Sequence, residues 1–231
     1  SRKQEDKIMI GAIIGDMTGS VYEWHSIKTM DFELFSYKSH FTDDTVMTIA
    51  TADALLHNLS YEDAYNKWGR RYFNANYGRS FLKWIQSSNK RPYNSLGNGS
   101  AMRVSPIGWA FDTLEETMTE AEVTAICTHD HPDGIAGAQS VAAAIFLART
   151  GSDKNAIKSF ITNRFHYDLD RTIDAIRPEY EFDVTCPGSV PEAIIAFLES
   201  TDYESAIRLA ISLGGDSDTQ ACIAGSIAEA F

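Results

Sequence analysis

Apolar residues recur at helical spacing in one segment of this chain after another. In "DDTVMTIATADALLHN" the residues Val46, Ile49, Ala50 and Ala54 fall on one face of a helix. Ser60, three residues ahead of Asp63, predicts an N-cap for a helix through "YEDAYNKWGRRYF". Thr119 and Glu122 read as a capping box in front of "VTAIC". The run "PDGIAGAQSVAAAIFLART" opens on Pro132 and stops before Gly151, the usual proline-first, glycine-last order, and Ser152 is placed to cap the next helix. Ser189, Pro191 and Glu192 predict the start of "EAIIAFLES", and Asp202 the start of "YESAIRLAISL". Residues 164–187 are helical only in patches. No run alternates apolar and polar residues over a strand's length, so the pattern predicts an all-α protein. Small residues in "IIGDMTGS" and "GIAGAQSVAAA" let helices approach closely. No proline-rich, Gly/Ser-rich or single-charge block marks a linker, and the expectation is one domain over residues 1–231.

Composition narrows the function classes. A chain of 231 residues is long enough to bury a sizeable core. Its net charge of −12 argues against nucleic-acid backbone as the main partner. Cys127, Cys186 and Cys222 are far apart and show no metal-ligand spacing, which predicts reduced thiols and a cytoplasmic setting. The apolar start "IMIGAII" is too short to span a bilayer and soon meets Asp16, so neither a membrane helix nor a signal peptide is expected.

Two stretches crowd like charges. "FTDDTV" at 41–46 and "GDSDTQ" at 215–220 each place two aspartates and at least one threonine beside a helix start. Either alone is consistent with capping, because a helix N-terminus favours anions by about 0.3–1 kcal/mol. A cap needs one acceptor, however, and surplus carboxylates repel unless a cation sits between them. Carboxylate and hydroxyl oxygens are the donor set for Mg²⁺, Mn²⁺ or Ca²⁺ rather than zinc. The two stretches are therefore expected to meet around divalent cations.

The chain resembles the ADP-ribosylglycohydrolases in five ordered segments. These are "GAIIGDMTGSVYEW" (11–24), "FTDDTVMTIA" (41–50), "GNGSAMRVSPIG" (97–108), "THDHPDGIAGA" (128–138) and "LGGDSDTQACIAGSIAEAF" (213–231). The resemblance implies a compact single-domain orthogonal helical bundle with two divalent cations, Mg²⁺ first and Mn²⁺ second. It implies Thr42, Asp43, Asp44, Asp216, Asp218 and Thr219 as metal ligands, with Asp44 also close to the chemistry. Glu23 matches the family glutamate that contacts the metal site and is implicated in catalysis; its other reading is an ordinary exposed glutamate after a helix. Gly97, Asn98, Gly99 and Ser100 match the loop that cradles ADP-ribose, and His129 matches a histidine near the ligand. Asp16 and His131 read as structural, Asp16 by bonding backbone within the glycine-rich segment.

The implied activity is hydrolysis at ribose C1″, releasing ADP-ribose from a modified acceptor. A protein side chain comes first, with arginine favoured. An ADP-ribosylated nucleobase or small molecule, or a non-catalytic ADP-ribose-binding or structural relative, are the other readings. Some relatives use an aspartate between the first metal segment and the glycine loop. Here no acidic residue lies between Asp63 and Asp112, so that role has no carrier. The same stretch holds Lys67, Arg70, Arg71, Arg79, Lys83, Lys90, Arg91 and Arg103 among aromatics. It reads either as a solvated basic face or as an electrostatic funnel for a diphosphate. Residues 22–41 read either as a lid or as a packed loop.

Overall fold

The structure, a computed structural model, describes residues 10–231; Ile8 and Met9 of the apolar start lie outside the described residues. Helices succeed one another as α1 (Gly11–Gly19), α2 (Asp43–His57), α3 (Tyr61–Arg71), α4 (Arg79–Gln86), α5 (Gly99–Met102), α6 (Ser105–Ala110) and α7 (Leu114–Ile126). They continue as α8 (Pro132–Arg149), α9 (Lys154–Phe165), α10 (Ile173–Ile176), α11 (Cys186–Glu199), α12 (Tyr203–Ile211) and α13 (Ser217–Ala230). The all-α expectation holds: among the described residues the β-type pairing is one isolated bridge, between Gly97 and Thr185. No helix among them is long and apolar enough to cross a membrane.

Local chemistry explains most boundaries. Ser60 caps α3 by accepting from the Asp63 amide, and Asp202 caps α12 in a reciprocal box with Ser205. Three starts differ from expectation. α7 begins on Thr113, whose hydroxyl accepts from the Glu116 amide. Thr113 and Glu116 repeat the spacing of Thr119 and Glu122 one and a half turns earlier, where the chain leaves a loop, so the earlier pair wins. α9 is capped by Asp153 rather than Ser152, its carboxylate accepting from the Ala156 amide at 2.8 Å. α11 begins at Cys186 under a Thr185 cap, with Pro187 in the first turn, and runs on through Pro191.

Two helices are apolar or small on nearly every face and sit innermost. α8 buries Val141 through Phe146, and α13 buries almost everything from Ser217 to Ile227. Around α8 pack α5, α6, α7, α9, α11 and α13. One contiguous core results, rich in alanine and isoleucine.

The pairing that positions the site is α1 on α13, the most extensive contact between any two helices. It depends on glycine. A β-carbon at Gly15 would collide with the Ala221 carbonyl, and one at Gly19 with the backbone of Ser217 and Asp218. Gly137 of α8 is likewise pressed against Cys186 of α11. The close packing expected from "IIGDMTGS" and "GIAGAQSVAAA" is what forms. Cys127, Cys186 and Cys222 are unpaired.

Candidate functional site

α1 holds the two acidic stretches together. Its Asp16 is fully buried and reaches across to the first turn of α2. There it accepts from the Thr42 amide (2.9 Å) and hydroxyl (2.7 Å), and from the Thr45 amide (3.1 Å) and hydroxyl (2.5 Å). Asp16 is structural, as read, but the backbone it binds belongs to α2 and not to its own segment. Through the glycine seam α1 also lies on the first turn of α13. Asp43 and Asp44 thus face Asp216 and Asp218.

The oxygens converge in two groups. One atom each from Asp16, Asp44 and Asp218 lie within 4.8 Å of one another, and so do atoms from Glu23, Asp216 and Asp218. Asp218 belongs to both. Burial, then repulsion by neighbouring carboxylates, pushes Asp43, Asp44 and Asp218 well above the ordinary aspartate range. Burial raises Asp216 to about 6, and burial with Asp218 and Asp16 nearby raises Glu23 to about 8. The N-termini of α2 and α13 offset only part of this repulsion.

A divalent cation fits this donor set. All the donors are oxygens, and Asp44 Oδ1 is buried with no hydrogen-bond partner. A buried acceptor-only atom left unpaired costs about 1–3 kcal/mol or more, and a cation satisfies it. Thr42 caps α2 behind these carboxylates, its hydroxyl donating to Asp16. Thr219 lies beside Asp218 on the inner wall of a cavity of about 440 Å³.

The carboxylates form one end of that cavity, and the glycine loop forms another part of its wall. Gly97 and Gly99 pack against the His129 ring; a β-carbon on Gly99 would sit 3.1 Å from its Nε2. The Asn98 amide N donates to the Val184 carbonyl at 2.7 Å, tying the loop to the start of α11.

Two residues of the motif make contacts that the motif does not announce, and Asn98 lines the cavity as well. The Asn98 side chain donates to Asp216 Oδ2 at 2.7 Å and to Ser189, so it fixes a carboxylate. Ser100 is fully buried outside the cavity and donates to the Gly134 carbonyl at 2.7 Å, tying α5 to α8. A motif gives spacing, and the direction of each side chain is set only by the packing of α5. His131, as read, caps α8 by accepting from the Asp133 amide.

Asn76 and Phe182 escaped the sequence reading. Glu23 faces Asn76, in the turn between α3 and α4, and Tyr77 and Phe81 line the adjoining wall. At the mouth Trp24 stacks on Phe182 with ring centroids 5.5 Å apart. The Asn and Gly residues of "FNANYG" signal a turn, but nothing in them signals that the turn meets residue 23.

The basic stretch meets the cavity at two points. Of its eight cations only Arg79 and Arg103 border the cavity. Lys67 pairs with Asp53, while Arg70 and Lys90 donate to carbonyls at the end of α4. Residues 22–41 form a packed loop: Lys28 donates to the carbonyls of Arg177, Tyr180 and Leu213, and Arg208 to those of Met30 and Phe32. Within that loop only Glu23 and Trp24 reach the cavity.

Comparison with known proteins agrees with this architecture. The family model for ADP-ribosylglycohydrolases matches residues 4–231. The chain is 25% identical to the human ADP-ribosylhydrolase ARH3, covering 96% of this chain and 84% of that protein. It is 27% identical to the ADP-ribosylarginine hydrolase Tri1 of Pseudomonas putida, covering 96% and 69%. A solved structure described as an ADP-ribosylglycohydrolase-related protein complex superposes with a TM-score of 0.75 at 24% identity, covering 96% of this chain and 84% of that one, a likeness of fold.

Proposed function

The chain belongs to the ADP-ribosylglycohydrolase family, and from that membership we propose that it is a metal-dependent hydrolase. It releases ADP-ribose from a modified acceptor by breaking the glycosidic bond at ribose C1″. The observation that carries the reading is Asp218, shared by two carboxylate groups at the end of a cavity large enough for a nucleotide-sugar fragment. Arginine is the favoured acceptor, supported by the name of the Pseudomonas putida relative. The ARH3 relatives carry no such qualifier, so a modified serine, nucleobase or metabolite is the competing substrate.

Thr42, Asp43, Asp44, Asp216, Asp218 and Thr219 would hold two cations, Mg²⁺ or Mn²⁺. When bound, these would orient the ribose hydroxyls and polarise water. The protein's own residues do the rest. Asp16 fixes the turn that carries Asp43 and Asp44 by accepting from Thr42 and Thr45, and Asn98 fixes Asp216. Gly97 and Gly99 leave room for the ligand against His129. Glu23, at the cavity edge, is placed to pass a proton to or from the reacting oxygen or nitrogen, a contribution of about 10²–10⁴-fold. The three free thiols support a reducing, cytoplasmic setting.

The test is release of ADP-ribose from a panel of modified arginine, serine and nucleic-acid substrates, with and without chelator. Turnover of one linkage that stops on chelation is expected. Full turnover in chelator, or none on any substrate with added Mg²⁺ or Mn²⁺, would refute the reading.

A further inference from the structure

Arg103 is an unusual buried cation. It is 1% exposed, and no carboxylate among the described residues pairs with it. Its guanidinium lies 4.0 Å from the centre of the Tyr65 ring. One amino group, Nη2, donates to the Thr124 carbonyl at 2.7 Å and to the Thr128 hydroxyl at 2.9 Å. The Thr128 hydroxyl in turn lies 2.7 Å from His129 Nδ1, and all three residues are buried. The far nitrogen of that ring, Nε2, faces Gly97 and Gly99 in the cavity wall.

Charge sets the direction of this hydrogen-bond relay. A guanidinium can only donate, so Thr128 Oγ1 accepts from Arg103. The hydroxyl proton is then free to go to Nδ1. An imidazole that turns its Nδ1 lone pair toward the cation is favoured over one that aims an N–H at an oxygen already loaded by that cation. Tyr93, its ring 5.9 Å from that of His129, also hydrogen-bonds the Thr128 side chain; its phenol can donate to Oγ1, which leaves the Thr128 proton for Nδ1. Burial and the nearby Arg103 both hold His129 well below the ordinary histidine range, so the ring is neutral and only its tautomer is in question.

We propose that Arg103 and Thr128 are positioning residues that lock His129 as an Nε2–H donor at the cavity wall, aimed at an acceptor oxygen of the bound ligand. For a nucleotide-sugar that acceptor is a phosphoryl or ribose oxygen. This rests on the reading of the cavity as an ADP-ribose site, but the tautomer can be measured without ligand. Arg103, which itself borders the cavity, thereby also acts on an anionic ligand through one hydroxyl and one ring.

The experiment pairs two-bond ¹H–¹⁵N correlation spectra of histidine-labelled protein with calorimetric titration of ADP-ribose. The wild type is expected to show His129 as a single Nε2–H tautomer. Thr128→Val should give mixed tautomers, weaken ADP-ribose binding by roughly tenfold, and raise KM with little change in kcat. Thr128→Ser should restore all three. Should Thr128→Val fail to fold, Arg103→Lys, which keeps the charge but loses the planar fork, is read in the same way. A wild-type His129 protonated at Nδ1, or a Thr128→Val protein with unchanged tautomer and affinity, overturns the relay. A wild type that binds no ADP-ribose sinks the proposed function instead, and the tautomer alone then decides the relay.

Discussion

Asn76 donates its side-chain amide to both carboxylate oxygens of Glu23, at 3.1 and 2.8 Å, from a backbone held in the left-handed region at φ 76°. Asparagine tolerates that conformation, and its amide is a donor where another carboxylate would add to the crowding. Replacing it by Asn76→Asp puts a further negative neighbour near Asp216, Asp218 and Glu23. Turnover should fall by about tenfold or more while the helical circular dichroism is unchanged. Asn76→Gly keeps the backbone and loses only the amide, so its loss should be smaller. Equal rates for Asn76→Asp and wild type would remove Glu23 from the chemistry.

The acidic cluster trades stability for metal binding. Asp218 faces other carboxylates in both groups, so Asp218→Asn should raise the melting temperature of chelated protein. The same variant should lose the rise in melting temperature that Mg²⁺ gives the wild type, and should lose turnover. Thermal scans with and without Mg²⁺ measure both. Asp44→Ala and Asp43→Ala should likewise abolish turnover with helical content intact.

The raised carboxylates impose a pH dependence. In the folded, metal-free protein Asp216 titrates near 6 and Glu23 near 8, above the ordinary carboxylate value of about 4. The folded state therefore holds these protons more tightly than the unfolded chain does. The resulting stability is complete below about pH 4 and is lost as pH rises through 6 and 8. In chelator the melting temperature should fall across that interval, and the gain from Mg²⁺ should grow. A metal-free melting temperature that climbs from pH 4 to 8 would contradict the geometry of the cluster.

The glycine seam between α1 and α13 admits no side chain. Gly15→Ala forces a methyl into the Ala221 carbonyl, backbone against backbone, and should cost about 1–3 kcal/mol in urea denaturation. Because the seam also sets where the first turn of α13 lies, Mg²⁺ affinity should drop with stability. A variant that keeps both would show that the helices can part without consequence.

Much of this was legible in the chain. Adjacent aspartates at two helix starts are a local chemical oddity, so the metal-ligand hypothesis needed no structure. Helix existence was legible for the same reason, through periodicity and caps. Direction was not. Ser100 and Asn98 stand in the glycine motif, yet Ser100 turns out of the cavity toward Gly134, while Asn98 lines the cavity and donates to Asp216. Charge counting over residues 64–111 does not say which cations reach the cavity, because stems such as those of Arg70 and Lys90 are long enough to reach a carbonyl at a helix end instead. The sharing of Asp218 and the contact of Arg103 with Thr128 depend on helices far apart in the chain, and no spacing rule encodes them.

Asp216 and Asp218 arrive with α13, while the helix it packs on, α1, is the first among the described residues. During synthesis on the ribosome the leading half of the centre is finished long before its counterpart emerges. A stalled or clipped nascent chain ending before residue 216 would carry Asp16, Glu23, Asp43 and Asp44 without the Asp218 that both groups share, and would have little grip on magnesium. Closure of the longest sequence interval in the molecule is thus the step that switches the hydrolase on, and it is also the step expected to be slowest in refolding.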